Sequence, residues 1–198
     1  MLFVLTHVRP RNRTPKRCLP RKSPEPTCGE EVAVQLGNVW FRSSSEVVGE
    51  LTVSPQEKAL ALNIKFTKQE PGYLAMVAKS GNLLFTSGHI SDIKGKLGGG
   101  VTVEQGQAAA RECAAKILNS IWNAHGTLDG LRVLKLLGCV NSTLEFHEQH
   151  LVINGCSDLL HEIFGKTGDG YHARSALGFA QIPTNSAVEV EAIFEIKG

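Results

Sequence analysis

The residues best equipped for chemistry in this 198-residue chain lie in its last quarter. There Tyr171-His172-Ala173-Arg174-Ser175-Ala176-Leu177-Gly178 runs into Ile182-Pro183 and then Val188-Glu189-Val190-Glu191-Ala192-Ile193. Arg174 stands fifteen positions before Glu189, each within a strand-like segment. A planar guanidinium holds a carboxylate with two parallel charge-assisted hydrogen bonds, and a carboxylate can orient a water and carry its proton. Facing one pocket, the two residues would form a binding and reacting pair. They can equally close a strand-to-strand ion pair, and residue types alone leave both readings open.

Other candidates carry less. His147-Glu148-Gln149-His150 spaces its histidines by three rather than the four of a helical HExxH zinc pair, and no third ligand is evident, so no metal is expected. His172, next to the Arg174 strand, is a candidate for a pocket mouth. The five cysteines are odd in number and scattered without a CxxC pair, which fits a reducing compartment. Gly95, Gly98, Gly99 and Gly100 fall in one loop but match neither the Walker nor the dinucleotide spacing.

These residues need elements to position them. Ser54-Pro55-Gln56-Glu57 combines an N-cap, a first-turn proline and a first-turn acid, predicting a helix to about Leu62. After Pro71-Gly72, the apolar segments Leu74–Ala78 and Leu83–Thr86 flank Ser80-Gly81-Asn82 and predict a β-hairpin. Thr102-Val103-Glu104-Gln105 is a capping box. Ala110, Cys113, Ala114, Ile117, Leu118 and Ile121 then recur at helical steps until Gly126, with Cys113 a core residue on that stripe. A strand follows from Leu131 to Val140. Alternation along it places Leu131, Val133, Leu137 and Cys139 on one face, more apolar than one helical layer would cover, and so predicts a subunit interface. A second helix, roughly His150–Phe164, turns Leu159, Leu160, Ile163 and Phe164 inward and closes at Gly165. The last strand alternates Val188, Val190, Ala192, Phe194 and Ile196 with Glu189, Glu191, Ile193 and Glu195. The order is ββαβαββ.

Composition sets the outer bounds. With 42% apolar residues and no run near the roughly 20 needed to span a bilayer, the chain reads as one globular domain that does not enter a membrane. Residues 1–22 hold seven basic groups and no acid, leaving 21 − 7 = 14 basic against 19 acidic groups elsewhere. Five of the eight prolines fall by residue 26. Residues 1–45 are therefore expected to be a disordered, basic, proline-rich extension, and 46–198 the folded domain. Phe41-Arg42-Ser43-Ser44-Ser45 is similar to a mitochondrial processing site, so the location is expected to be mitochondrial or cytoplasmic. An acidic body argues against broad contact with nucleic acid, leaving only the basic tail for it.

Four motifs in order carry a resemblance. Gly81-Asn82-Leu83-Leu84-Phe85-Thr86-Ser87-Gly88, the helix opening from Thr102 to Ala110, Ile153-Asn154-Gly155-Cys156-Ser157-Asp158-Leu159-Leu160, and Ala173-Arg174-Ser175 through Glu191-Ala192-Ile193 resemble the RidA (YjgF-like, formerly endoribonuclease L-PSP) superfamily. The likeness covers about residues 50–198 and points to a longer branch with an extra N-terminal helix.

The resemblance implies an α+β, chorismate-mutase-like fold: one sheet with two helices packed on one face, assembling as a barrel-like homotrimer with pockets between subunits. It implies hydrolysis of reactive enamines and imines derived from amino acids, of the 2-aminoacrylate type, with no cofactor. By family position Arg174 would hold the substrate carboxylate and Glu189 would orient water and shuttle a proton. Ser87, Gly88, Tyr73 and Ala176 would complete substrate binding. His89 stands where the short-chain deaminases usually have glutamine, and Ser157 where they carry a pocket asparagine, with Asn154 one turn away. His172 joins these three as a further pocket candidate. Such departures keep the carboxylate-binding arginine while altering the pocket around it. Two alternatives therefore stand beside the deaminase: a non-catalytic trimer binding small carboxylates, and a ribonucleoprotein component, endoribonuclease or translation inhibitor.

Overall fold

The computed structural model describes residues 53–198, so the expected extension of residues 1–45 lies outside the described residues. The described residues form one compact unit. Its first helix, α1 (Pro55–Ala61), starts where its cap requires: the Ser54 side chain accepts from the Glu57 N–H, and the Glu57 carboxylate accepts from the Ser54 N–H. Helix α2 (Val103–His125) repeats the device with Thr102 and Gln105 and stops at Gly126, whose positive φ of 90° suits a residue without Cβ. Helix α3 (Gln149–Phe164) ends at Gly165.

Among the described residues six strands form one sheet: β1 (Val77–Ser80), β2 (Leu83–Thr86), β3 (His89–Ile90), β4 (Leu131–Asn141), β5 (Ala173–Phe179) and β6 (Val188–Ile196). The order is β1-β2-β6-β4-β5, with β3 also on β6. Every pairing is antiparallel except β4 with β5, the pair joined by the α3 crossover. Strand β4 therefore separates β5 from β6, although those two are consecutive in sequence.

Helices α2 and α3 lie side by side on one face of the sheet. Their contact depends on glycine: a Cβ on Gly155 would sit 2.0 Å from the Gln107 carbonyl oxygen, and one on Gly138 of β4 would strike Ile153 at 2.5 Å. Ile117, Leu118 and Ile121 of α2 meet Ile153, Leu159 and Leu160 of α3 in a single core with Leu136, Val188, Val190 and Phe194. At about 1.5–3 kcal/mol for each fully buried aliphatic side chain, this stripe outweighs helix propensity in holding the layer down.

Two expectations need correction. Leu131 and Val133 do not share a face with Leu137 and Cys139: the first pair is 1% and 0% exposed beneath the helices, while Leu137 and Cys139 are only part-buried on the opposite face. The cause is a bulge between Val133 and Lys135, which adds one residue to β4 and reverses its alternation. The hairpin also begins later, at Val77 rather than Leu74. The chain before it is held across α2 by asparagine side chains: Thr67 N–H donates to Asn119 Oδ1 at 2.8 Å, Gln69 N–H to Asn123 Oδ1 at 2.9 Å, and Asn123 Nδ2 to the Thr67 carbonyl at 2.9 Å. Nearer the hairpin, Ser87 takes the place of a ladder partner, its Oγ donating to the Ala75 carbonyl and its N–H to the Met76 carbonyl.

Among the described residues no helix covers the sheet's other face. Phe85, Leu177 and Phe179 are exposed on it, beside the part-buried Leu137, Cys139 and Ile193. Among the described residues no helix is long and apolar enough to cross a membrane.

Candidate functional site

Arg174 lies on β5, paired with Leu136 of β4, and its side chain turns to the helical face. His150, Asn154 and Ser157 follow one another at helical spacing along α3, so a single side of that helix meets the guanidinium. Nη1 donates to Asn154 Oδ1 and to Ser157 Oγ, both at 3.0 Å, and Nη2 donates to the His150 carbonyl at 3.2 Å. Three of five N–H groups are thus fixed by neutral oxygens. Nε–H and one N–H of Nη2 have no partner among the described residues, and no carboxylate there pairs with this cation. Ala176, two residues on, shares this face against the core.

Behind Ser157 stands His172. Its Nε2 lies 3.0 Å from Ser157 Oγ and its Nδ1 2.6 Å from the Gly170 carbonyl, while its ring stacks on that of His161 with centroids 5.2 Å apart. Burial holds the imidazole below its usual pKa; the Gly170 carbonyl works against this, and the charges of His161 and Arg174 add to it.

Glu189 belongs to the bare face. Between buried Val188 and Val190 of β6, it has Ile90 of β3 and Cys139 of β4 as cross-strand neighbours. Its carboxylate rests over Gly88, where a Cβ would fall 1.9 Å from Oε1, so only glycine leaves room. Burial first, then the like charge of Glu191, raises its pKa above the usual glutamate value. No cation pairs with it among the described residues. Burial together with Glu189 and Glu191 pushes the Cys139 thiol up to about 11, too high for a thiolate nucleophile near neutrality.

The remaining candidates divide accordingly. Ser87 adjoins Gly88; its N–H donates to the Met76 carbonyl and its Oγ to the Ala75 carbonyl, which leaves the hydroxyl oxygen free to accept. Tyr73 is fully exposed just before β1. It lies in a stretch with Gln69, Leu74 and Met76 that lines an open cavity of about 500 Å³ with Ser120 and Asn123.

His89 turns away from Glu189. It pairs with core-facing Val190, is 5% exposed, and bridges the Ser87 carbonyl and Ser120 Oγ at 2.8 Å each. It therefore braces the interior rather than lining either half of the site.

Within one chain, then, Arg174, Asn154, Ser157, His172 and Ala176 gather on the helical side of β5, while Glu189, Gly88 and Ser87 gather across the sheet. Strand order and alternation put the guanidinium and the carboxylate of one chain on opposite faces of the sheet, which excludes a strand-to-strand ion pair between them within that chain. Sequence reasoning missed the His150 carbonyl and the His161 stack. The i, i+4, i+7 spacing of His150, Asn154 and Ser157 was the signal for the first; a ring stacked from the next turn leaves no comparable signal.

A sheet of this order with two helices on one face has the architecture of the chorismate-mutase-like α+β proteins. The model of the endoribonuclease L-PSP family matches residues 45–196, and the chain belongs to that family, the RidA/YjgF-like group that its motifs resemble. It is 48% identical over 103 residues to Protein TCP17 of Trypanosoma cruzi, a match covering 52% of this chain and 64% of that protein's length. The crystal structure of Atu1372, a protein of unknown function from Agrobacterium tumefaciens, is 39% identical, with a TM-score of 0.65 over 72% of this chain and 92% of its own. A Shewanella oneidensis structure is 27% identical, with the same TM-score, covering 72% of this chain and 99% of the other.

Proposed function

We propose that the chain forms a homotrimer that hydrolyses small, carboxylate-bearing enamines and imines derived from amino acids. The observation that carries this reading is a half-buried guanidinium held by three neutral oxygens, with two N–H groups open and no anion beside it among the described residues. A buried cation is costly unless it is paired, and a substrate carboxylate is the fitting partner.

Glu189 is the complementary charge. It cannot reach Arg174 in its own chain, and the bare apolar face on which it sits calls for a second copy. The docked face would bring Glu189 and Gly88 of one copy to Arg174 of the next. Ser87 and exposed Tyr73 would come with them.

In the reaction, the substrate carboxylate docks on the open guanidinium edge. Glu189 takes a proton from a water that attacks the imine carbon, forming a C–O bond. The same proton passes to nitrogen, giving a carbinolamine; Glu189 then takes the hydroxyl proton and hands it to nitrogen as the C–N bond breaks and the C=O bond forms, so that a 2-oxo acid and ammonia leave. An enamine enters this path once protonated at carbon to its imine. The scheme calls for no cofactor. An assay that traps imines with semicarbazide, using enamines generated from several amino acids, tests it: wild type should hasten loss of the trapped species and Arg174→Ala should not. Equal rates with and without wild-type protein would leave binding without turnover.

A further inference from the structure

We propose that His172 acts through Ser157 as a positioning residue for Arg174, and that a carboxylate docking on the guanidinium draws a proton onto His172. The inference rests on reading Arg174 as a carboxylate anchor, and goes beyond it by coupling that anchor to a titrating group.

Hydrogen-bond polarity fixes the arrangement around His172. The Gly170 carbonyl can only accept, so His172 Nδ1 carries a hydrogen. Gly170 itself packs closely on the end of α3, where a Cβ would lie 2.1 Å from the Gly165 carbonyl oxygen. In the neutral ring Nε2 then offers a lone pair, which takes the Ser157 O–H. Ser157 is left with oxygen lone pairs for Arg174 Nη1. Donation runs from Arg174 to Ser157 to His172 to Gly170. Ser157 is 5% exposed, so water cannot readily substitute for a lost link.

The charges facing His172 are few. Arg174 approaches from β5, separated from the ring by one hydroxyl, and His161 stacks from α3. Its own loop contributes the Gly170 carbonyl, and Lys135 of β4 is engaged by Ser175. No carboxylate pairs with His172 among the described residues. An imidazolium is therefore disfavoured while the guanidinium is unpaired.

A bound carboxylate cancels the guanidinium's charge and sets a negative group close to the ring, which removes one cause of that bias. Ser157 can then accept from both Arg174 and protonated Nε2, turning its own hydrogen to the carbonyl one turn back in α3. Binding and protonation are linked and must favour each other equally. The sign follows: small-carboxylate affinity rises as pH falls into the histidine range.

The test is calorimetric titration of the full-length protein with pyruvate, near pH 6, in buffers of different ionisation enthalpy. Wild type should take up a fraction of a proton per pyruvate bound, and its affinity should rise roughly threefold from about pH 7.5 to 6. His172→Gln keeps an acceptor for Ser157 but does not titrate; it should still bind pyruvate, with the uptake reduced and the affinity flatter with pH. His161→Gln should retain the uptake assigned to His172.

Arg174-dependent binding with no uptake, or with equal uptake in His172→Gln, overturns this inference and leaves the anchor intact. Pyruvate binding unchanged in Arg174→Ala overturns the anchor and this inference with it. Should His172→Gln not fold, nitrogen NMR of histidine-labelled wild type decides: one imidazole protonated only at Nδ1 when free, and gaining a proton with pyruvate, is the expected result. Histidines indifferent to pyruvate would refute it.

Discussion

Arg174 and Glu189 occupy opposite faces of one sheet, with β4 standing between their strands. Each is a charge without an opposite partner among the described residues, and each sits where the surrounding chain has been shaped for it. Gly88 gives way to the carboxylate; Asn154, Ser157 and the His150 carbonyl grip the guanidinium. Two unmatched charges on opposite faces make sense when a second copy joins them.

Replacing Arg174 with Ala removes the donor edge for a substrate carboxylate, and hydrogen bonds to charged groups contribute about 1.5–3 kcal/mol. Affinity for a small carboxylate such as pyruvate should fall roughly ten- to a hundredfold. Calorimetric titration measures it, and unchanged affinity would return Arg174 to a structural role on α3.

Gly88→Ala should act as a selective lesion of Glu189. Gly88 does not adopt a positive φ, so alanine brings no backbone strain, yet its Cβ would lie 1.9 Å from Oε1 and the carboxylate must move. A displacement of about 1 Å at a reacting group costs roughly a hundredfold in rate. Turnover should fall by that order while the melting temperature holds; equal turnover would mean that Glu189 can react from elsewhere.

The raised pKa of Glu189 sets two pH effects of known sign. Turnover needs the carboxylate ionised, so the acid limb of the rate profile should lie above the ordinary glutamate range. For stability, a folded-state pKa above the unfolded value gives a contribution present at low pH and lost as pH rises through the folded pKa. Glu189→Gln should therefore abolish turnover, and in the separated subunit, where no Arg174 reaches the carboxylate, it should melt higher than wild type at neutral pH, with the difference vanishing below about pH 4. Melting curves at both pH values check this, and a variant less stable at neutral pH would contradict it.

Removing residues 1–45 should leave the melting temperature within a few degrees, since that stretch is basic, proline-rich and without apolar periodicity. The family match begins at residue 45. A truncated protein that is insoluble or melts far lower would show that the segment packs against the domain.

Much of this architecture was legible because its signals are local. Ser54 and Thr102 announce helix starts by their own side chains, Gly126 announces a stop by its conformation, and Val188 to Phe194 alternate without interruption. The bulge in β4 was not legible: Leu131 to Val140 is apolar on both faces, so nothing in its pattern marks the residue at which alternation reverses. The relation of Arg174 to Glu189 was hidden for a different reason. Whether two consecutive strands are neighbours depends on how the α3 crossover inserts β4 between them, a long-range matter that fourteen intervening residues cannot encode. Asn154 and Ser157 could be placed near the pocket from helical spacing, but the His172 link behind them required the folded loop at Gly170.

The central claim is that each site takes Arg174 from one copy and Glu189 from another, and subunit mixing tests it most directly. Arg174→Ala and Glu189→Gln proteins, each inactive alone, are unfolded together, refolded in equal amounts, and assayed with semicarbazide trapping. Random assembly of a cyclic trimer pairs an intact Arg174 with an intact Glu189 at about one interface in four. The mixture should therefore recover about a quarter of wild-type activity. A mixture that assembles into trimers and stays as inactive as its parents would contradict a site shared between copies.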